Sequence, residues 1–81
     1  MSPSTPDAHA LGRAVRAIRE ERDISQVQLS IDTGLTQSWI SQVEHGRRNA
    51  SWSNVVRLAE GLGVKVSELV LRAEVLAGKP E

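Results

Sequence analysis

The residues SQVQLSIDTGLTQSWISQVEHG, Ser25 to Gly46, read as two short helices joined by a tight turn. Ser25 can cap the first helix, and Gln28 three positions later completes an S-x-x-Q capping box. Gly34 follows the helical run and can take the left-handed conformation that stops a helix sharply, after which Thr36 can cap the next one. The two helices therefore meet at a fixed angle, with Leu29 pointing inward and the small Ser30 beside it.

The second helix, Gln37 to His45, sorts its residues by helical spacing. Ile40 and Val43 share one face with Glu44 at its edge, while Ser38, Ser41, Gln42 and His45 share the opposite one. That outer face is polar and almost uncharged. Amides and hydroxyls suit the edges of bases, since glutamine can pair bidentately with adenine and serine with either sequence class. This is the character of a recognition helix, although a helical hairpin with glycine in its turn is also a common structural element.

The pattern extends well beyond the hairpin. From Leu11 to Val70 the chain resembles the Cro and repressor type of helix-turn-helix domain, the XRE family, over about three-quarters of its length. The resemblance rests on the Ser25-Gln26 pair opening helix 2, the L-S-x-x-x-G-L-T run from Leu29, the I-S-x-V-E-x-G run from Ile40, and the R-L-A-x-x-L-G-V run from Arg57. It implies an all-α fold, a compact five-helix bundle of the lambda-repressor-like DNA-binding type with the helix-turn-helix at helices 2 and 3.

The resemblance also implies roles for single residues. An arginine at the position of Arg19 pairs in that family with the glutamate near the end of helix 3, here Glu44, so the two are expected to form a structural ion pair that orients helix 3; the alternative is a solvated Arg19. The family sets a glutamine at the position of Gln26 against a DNA phosphate, where the free N–H groups of a helix start already favour an anion. An ordinary surface glutamine is the other reading. Trp39 stands where many members carry an aromatic; it can fill core against Val43 or sit at the groove edge with its indole N–H on a phosphate. Two positions depart from the family pattern: Ala50 replaces a usual proline, and Lys65 replaces a capping serine at the start of helix 5.

Length and composition set the outer bounds. Eighty-one residues make one domain, near the lower end of what buries its own core without staples. There is no cysteine, and His9 and His45 have no ligand cluster around them, so neither a metal nor a cofactor is expected. No apolar run approaches the roughly twenty residues of a membrane span. The opening MSPSTPD lacks the charged and apolar regions of a signal peptide, and the expected location is cytoplasmic with no membrane partner. No strained nucleophile turn, glycine-rich phosphate loop or pair of acids in a pocket points to an enzyme.

The formal net charge of zero hides a local imbalance. Between Thr33 and Ala59 the only acid is Glu44, while Arg47, Arg48 and Arg57 lie in the same interval. One face can therefore be positive on a neutral molecule.

Met1 to Pro6 is expected to be a disordered tail, followed by the domain at 7–77 and a short C-terminal tail at 78–81. Asp7 caps helix 1, about Ala8 to Arg22, whose inner face carries Leu11, Val15 and Ile18. Ser51 caps helix 4, with Trp52, Val55, Leu58, Ala59 and Leu62 inward and Gly61 weakening it by about 1 kcal/mol relative to alanine. Val27 and Ile31 form an exposed apolar stripe on helix 2 that needs no special role.

In helix 5, Val66, Leu69, Val70, Ala73 and Leu76 can close the core, but Leu71 and Val75 fall on nearly the opposite side and need cover. The simplest cover is a second copy, giving a two-fold homodimer through helix 5 whose recognition helices span half-sites roughly 34 Å apart. Packing against the N-terminal tail, or plain exposure, is the alternative.

These features point to a sequence-specific, double-stranded DNA-binding transcriptional regulator, a repressor or autoregulator reading a palindromic operator through helix 3 in the major groove. Gln37, Ser38, Ser41 and Gln42 are the expected base contacts, and Gln26, Thr36, Trp39, Arg47, Arg48 and Asn49 the expected backbone contacts. The competing reading is a protein-interaction module, such as an antitoxin or regulatory subunit, built on the same fold.

Overall fold

Four of the five helices begin on a side-chain cap. The computed structural model describes residues 7–78; the expected tails at 1–6 and 79–81 lie outside the described residues. Helix α1 (Ala8–Glu21) starts on Asp7, which accepts from the Ala10 N–H at 2.9 Å. Ser25 caps α2 (Gln26–Thr33) through the Gln28 N–H at 3.0 Å, and Thr36 caps α3 (Gln37–Glu44) through the Trp39 N–H at 3.1 Å. Ser51 does the same for α4 (Trp52–Leu62) through Asn54 at 3.3 Å. Each such cap contributes about 1 kcal/mol. Helix α5 (Val66–Ala77) starts at Lys65 with no side-chain cap bond.

The capping box at Ser25 closes on one side only. Gln28 does not reach back; its amide donates forward to Asp32 Oδ1 at 2.9 Å, along the exposed face of α2. An i,i+4 partner on the helix surface outcompetes the return to the N-cap.

Ala14, Val15 and Ile18 of α1 form the middle of the core, with Leu29, Ile40, Leu58, Leu62, Leu69 and Ala73 closing around them. Helix α1 packs most extensively against α5 and next against α3, while α2 lies between α3 and α4. Trp39, Leu11 and Leu35 are half-buried against the same cluster.

Trp52 departs from the expected core: it is 68% exposed. Its spacing matches Val55 and Ala59, but it is the first residue of α4, and the described residues leave that end largely uncovered.

Two helix-interior glycines are explained by close approach. A Cβ on Gly12 of α1 would run into the main-chain oxygen of Val43, so α3 rests its last turn directly on the α1 backbone. A Cβ on Gly61 would lie 2.5 Å from Thr33 Cγ2 and 2.9 Å from Leu29 Cδ1. The helix propensity lost at Gly61 is thus exchanged for the packing of α2 on α4.

Candidate nucleic-acid interface

The presentation of α3 depends on one carboxylate. Glu44, on the last turn of α3, is the buried charged residue of the core, 6% exposed. Arg19 Nε donates to its Oε2 at 2.7 Å and Nη2 to its Oε1 at 3.1 Å. Arg19 Nη1 donates to the Ile24 carbonyl at 2.9 Å, and Gln26 Nε2 donates to Glu44 Oε1 at 3.0 Å. One charge therefore gathers α1, the following loop, α2 and α3. The hydrogen bond that Arg19 donates to Glu44 raises the Arg19 pKa above its ordinary value, against the opposing effect of burial. No buried side-chain nitrogen or oxygen among the described residues lacks a partner, which is the condition for a buried ion pair to persist.

Gln26 is thus turned towards Glu44, a placement its position at the start of α2 does not reveal. One of its amide hydrogens is used there; the other remains to serve an external acceptor.

On the outer side of α3, Gln37 and Ser38 are exposed, and Ser41 and Gln42 are half-buried. His45 Nδ1 meets the Ser41 carbonyl at 2.7 Å, so Nδ1 carries the proton of this contact. Around this face stand Thr36, Arg47, Arg48 and Asn49, all exposed, and the half-buried Trp39. The Thr36 oxygen accepts from the Trp39 N–H, which leaves its own O–H free to donate. Arg47 and Asn49 face solvent, whereas Arg48 turns back onto the helix and donates from Nε to Gln42 Oε1 at 2.7 Å. The spacing of Arg48 two residues beyond Gly46 holds the only sequence signal for that contact.

The remaining expected residues lie elsewhere. Leu71 and Val75 are 60% and 47% exposed on α5, beside a groove that Ile18, Glu21, Val64 and Arg72 also line. Val27 and Ile31 are exposed on α2. No helix among the described residues is long and apolar enough to cross a membrane.

Fold and face together define a helix-turn-helix protein of the DNA-binding regulator class. A family described as "Helix-turn-helix domain" matches residues 10–73, and the chain belongs to it. Among its relatives, the immunity repressor protein of Bacillus phage phi105 is 38% identical over 60 residues, 74% of this chain and 42% of that protein. The control protein C.BamHI of Bacillus amyloliquefaciens is 35% identical over 60 residues, 73% of this chain and 74% of the relative. The restriction-modification controller protein C.AhdI from Aeromonas hydrophila superposes with a TM-score of 0.74 at 34% identity, covering 76% of this chain and 94% of that one.

Proposed function

We propose that this chain is a sequence-specific DNA-binding transcriptional regulator that reads a palindromic operator by placing α3 in the major groove. The observation that carries the proposal is the outer face of α3, polar and accessible, on a helix whose tilt is fixed by the buried Arg19–Glu44 pair. Gln37, Ser38, Ser41 and Gln42 would meet base edges, while Thr36, Trp39, Arg47 and Asn49, with the second amide hydrogen of Gln26, would hold phosphates and fix register.

Leu71 and Val75 would be covered by the same residues of a second copy, giving a two-fold homodimer through α5. Dimerisation suits a small domain with few phosphate contacts, because the second docking becomes intramolecular. A repressor or autoregulator role fits the names of the phage repressor and the control proteins. A cytoplasmic location goes with DNA as the partner, and no enzymatic activity is assigned.

Salt separates this proposal from a protein-docking module. Affinity for duplex DNA should fall with rising salt at a log–log slope near −0.9 per phosphate neutralised. Binding that is insensitive to salt, or no duplex binding at low salt, would contradict it.

A further inference from the structure

The loop leaving α3 folds back on the helix. Gly46, at φ 74°, reverses the main chain: its N–H donates to the Val43 carbonyl at 2.9 Å, and the Arg47 N–H donates to the Gln42 carbonyl at 2.9 Å. This pair of bonds is a Schellman closure. It delivers the next residue, Arg48, alongside Gln42, where Arg48 Nε donates to Gln42 Oε1 at 2.7 Å. A guanidinium has donors only, so the amide oxygen must face it and the orientation of the Gln42 amide is fixed. Gln42 Nε2 then points along the helix towards Ser38 Oγ, 3.5 Å away.

This arrangement changes what the face can read. A glutamine that pairs with adenine needs its oxygen free to accept from the N6 amino group. Here Arg48 takes one of that oxygen's two lone pairs and sets its guanidinium beside it, where the adenine amino group would have to approach. What remains is the second hydrogen of Gln42 Nε2, the first being directed at Ser38 Oγ, and the two terminal nitrogens of Arg48, for which no partner exists among the described residues. Guanine offers two acceptors, N7 and O6, on its major-groove edge, whereas adenine places a donor beside its N7. A surface led by the guanidinium donors matches the first and opposes the second.

We propose that Arg48 and Gln42 act as one unit that selects guanine in each half-site, so that Arg48 is a specificity-determining residue and not a phosphate clamp. The proposal rests on the DNA-reading function above.

The test is selection of bound duplexes from a random pool by the full chain, followed by titration of the selected site and of a copy with the guanine pair replaced by an adenine pair. The parent should select guanine at one position of each half-site and discriminate against adenine there by roughly 5- to 150-fold. Arg48→Ala should lose most of that discrimination while its salt slope stays at the parent's value. Gln42→Ala, which releases the guanidinium, should lower the discrimination too. Thermal melting of both variants checks that they remain folded.

Several results would overturn the inference: adenine selected by the parent at that position, parental discrimination in either variant, or an Arg48→Ala variant that weakens all sequences alike with a slope reduced by about 1. A parent that selects no sequence at all would instead overturn the DNA-reading function itself, and this inference with it.

Discussion

Arg19 closes on Glu44 with two hydrogen bonds, 2.7 and 3.1 Å long, across 25 residues of chain. The pair links the first helix to the last turn of α3, with side chains 13% and 2% exposed. Its role follows from where it sits: moving either partner moves α3 relative to α1.

Arg19→Ala should destabilise the fold by about 3–5 kcal/mol, because it leaves a buried carboxylate uncompensated. Adding Glu44→Ala should recover part of the loss, and the coupling appears in a double-mutant cycle by urea denaturation. Additive effects of the two substitutions would remove the proposed tie.

Gly12→Ala puts a methyl group against the main-chain oxygen of Val43, and neither backbone can yield without shifting α3 on α1. The variant should be destabilised by about 1–3 kcal/mol, as in other overpacked sites, and should lose DNA affinity as well. A gain near the roughly 1 kcal/mol expected from alanine's helix propensity would contradict this packing.

Most of the architecture is visible in single residues of the sequence. Asp7, Ser25, Thr36 and Ser51 cap the helices they precede, and Gly34 and Gly46 take φ 75° and 74° where the chain turns. What is hidden depends on contacts between elements. Gly12 looks like a weak spot until α3 is laid across it. Trp52 shares a helical stripe with core residues, but spacing marks a face and not how far the neighbouring helices extend. The Arg48–Gln42 contact needs the geometry of the Schellman turn, and Gln26 needs the position of Glu44.

Glu21 accepts from Arg72 Nη1 at 2.7 Å and Nη2 at 3.0 Å, which fastens α5 to the end of α1. The hydrogen bond from Arg72 holds the Glu21 carboxyl below its ordinary pKa against the opposing effect of desolvation, with the charges of Arg72 and Arg22 adding to the lowering. A carboxylate with a lowered folded-state pKa stabilises fully above its unfolded pKa, and that contribution is lost as pH falls through the folded value. The parent should therefore lose more stability than Arg72→Ala on acidification through the carboxylate range, by a small margin because the pair is exposed. Parallel pH–stability curves for the two proteins would contradict the tether.

Leu71→Glu combined with Val75→Glu should convert a dimeric parent to a monomer in sedimentation equilibrium and weaken binding to a palindromic duplex much more than to a half-site. The substitutions lie on exposed positions, so the fold should be retained. A parent that stays monomeric at high micromolar concentration, or a variant that dimerises and binds like the parent, would contradict the α5 interface.

The most direct measurement of α3 as the reading element is selection from a random duplex pool with the parent and with Gln37→Ala, whose exposed side chain makes no contact needed by the fold. The expected parental site has two inverted half-sites centred roughly 34 Å apart, and Gln37→Ala should lose preference at one base step of each half by about 1–3 kcal/mol. A variant that recovers the parent's site with the parent's affinity, or a parent that enriches no sequence, would contradict it.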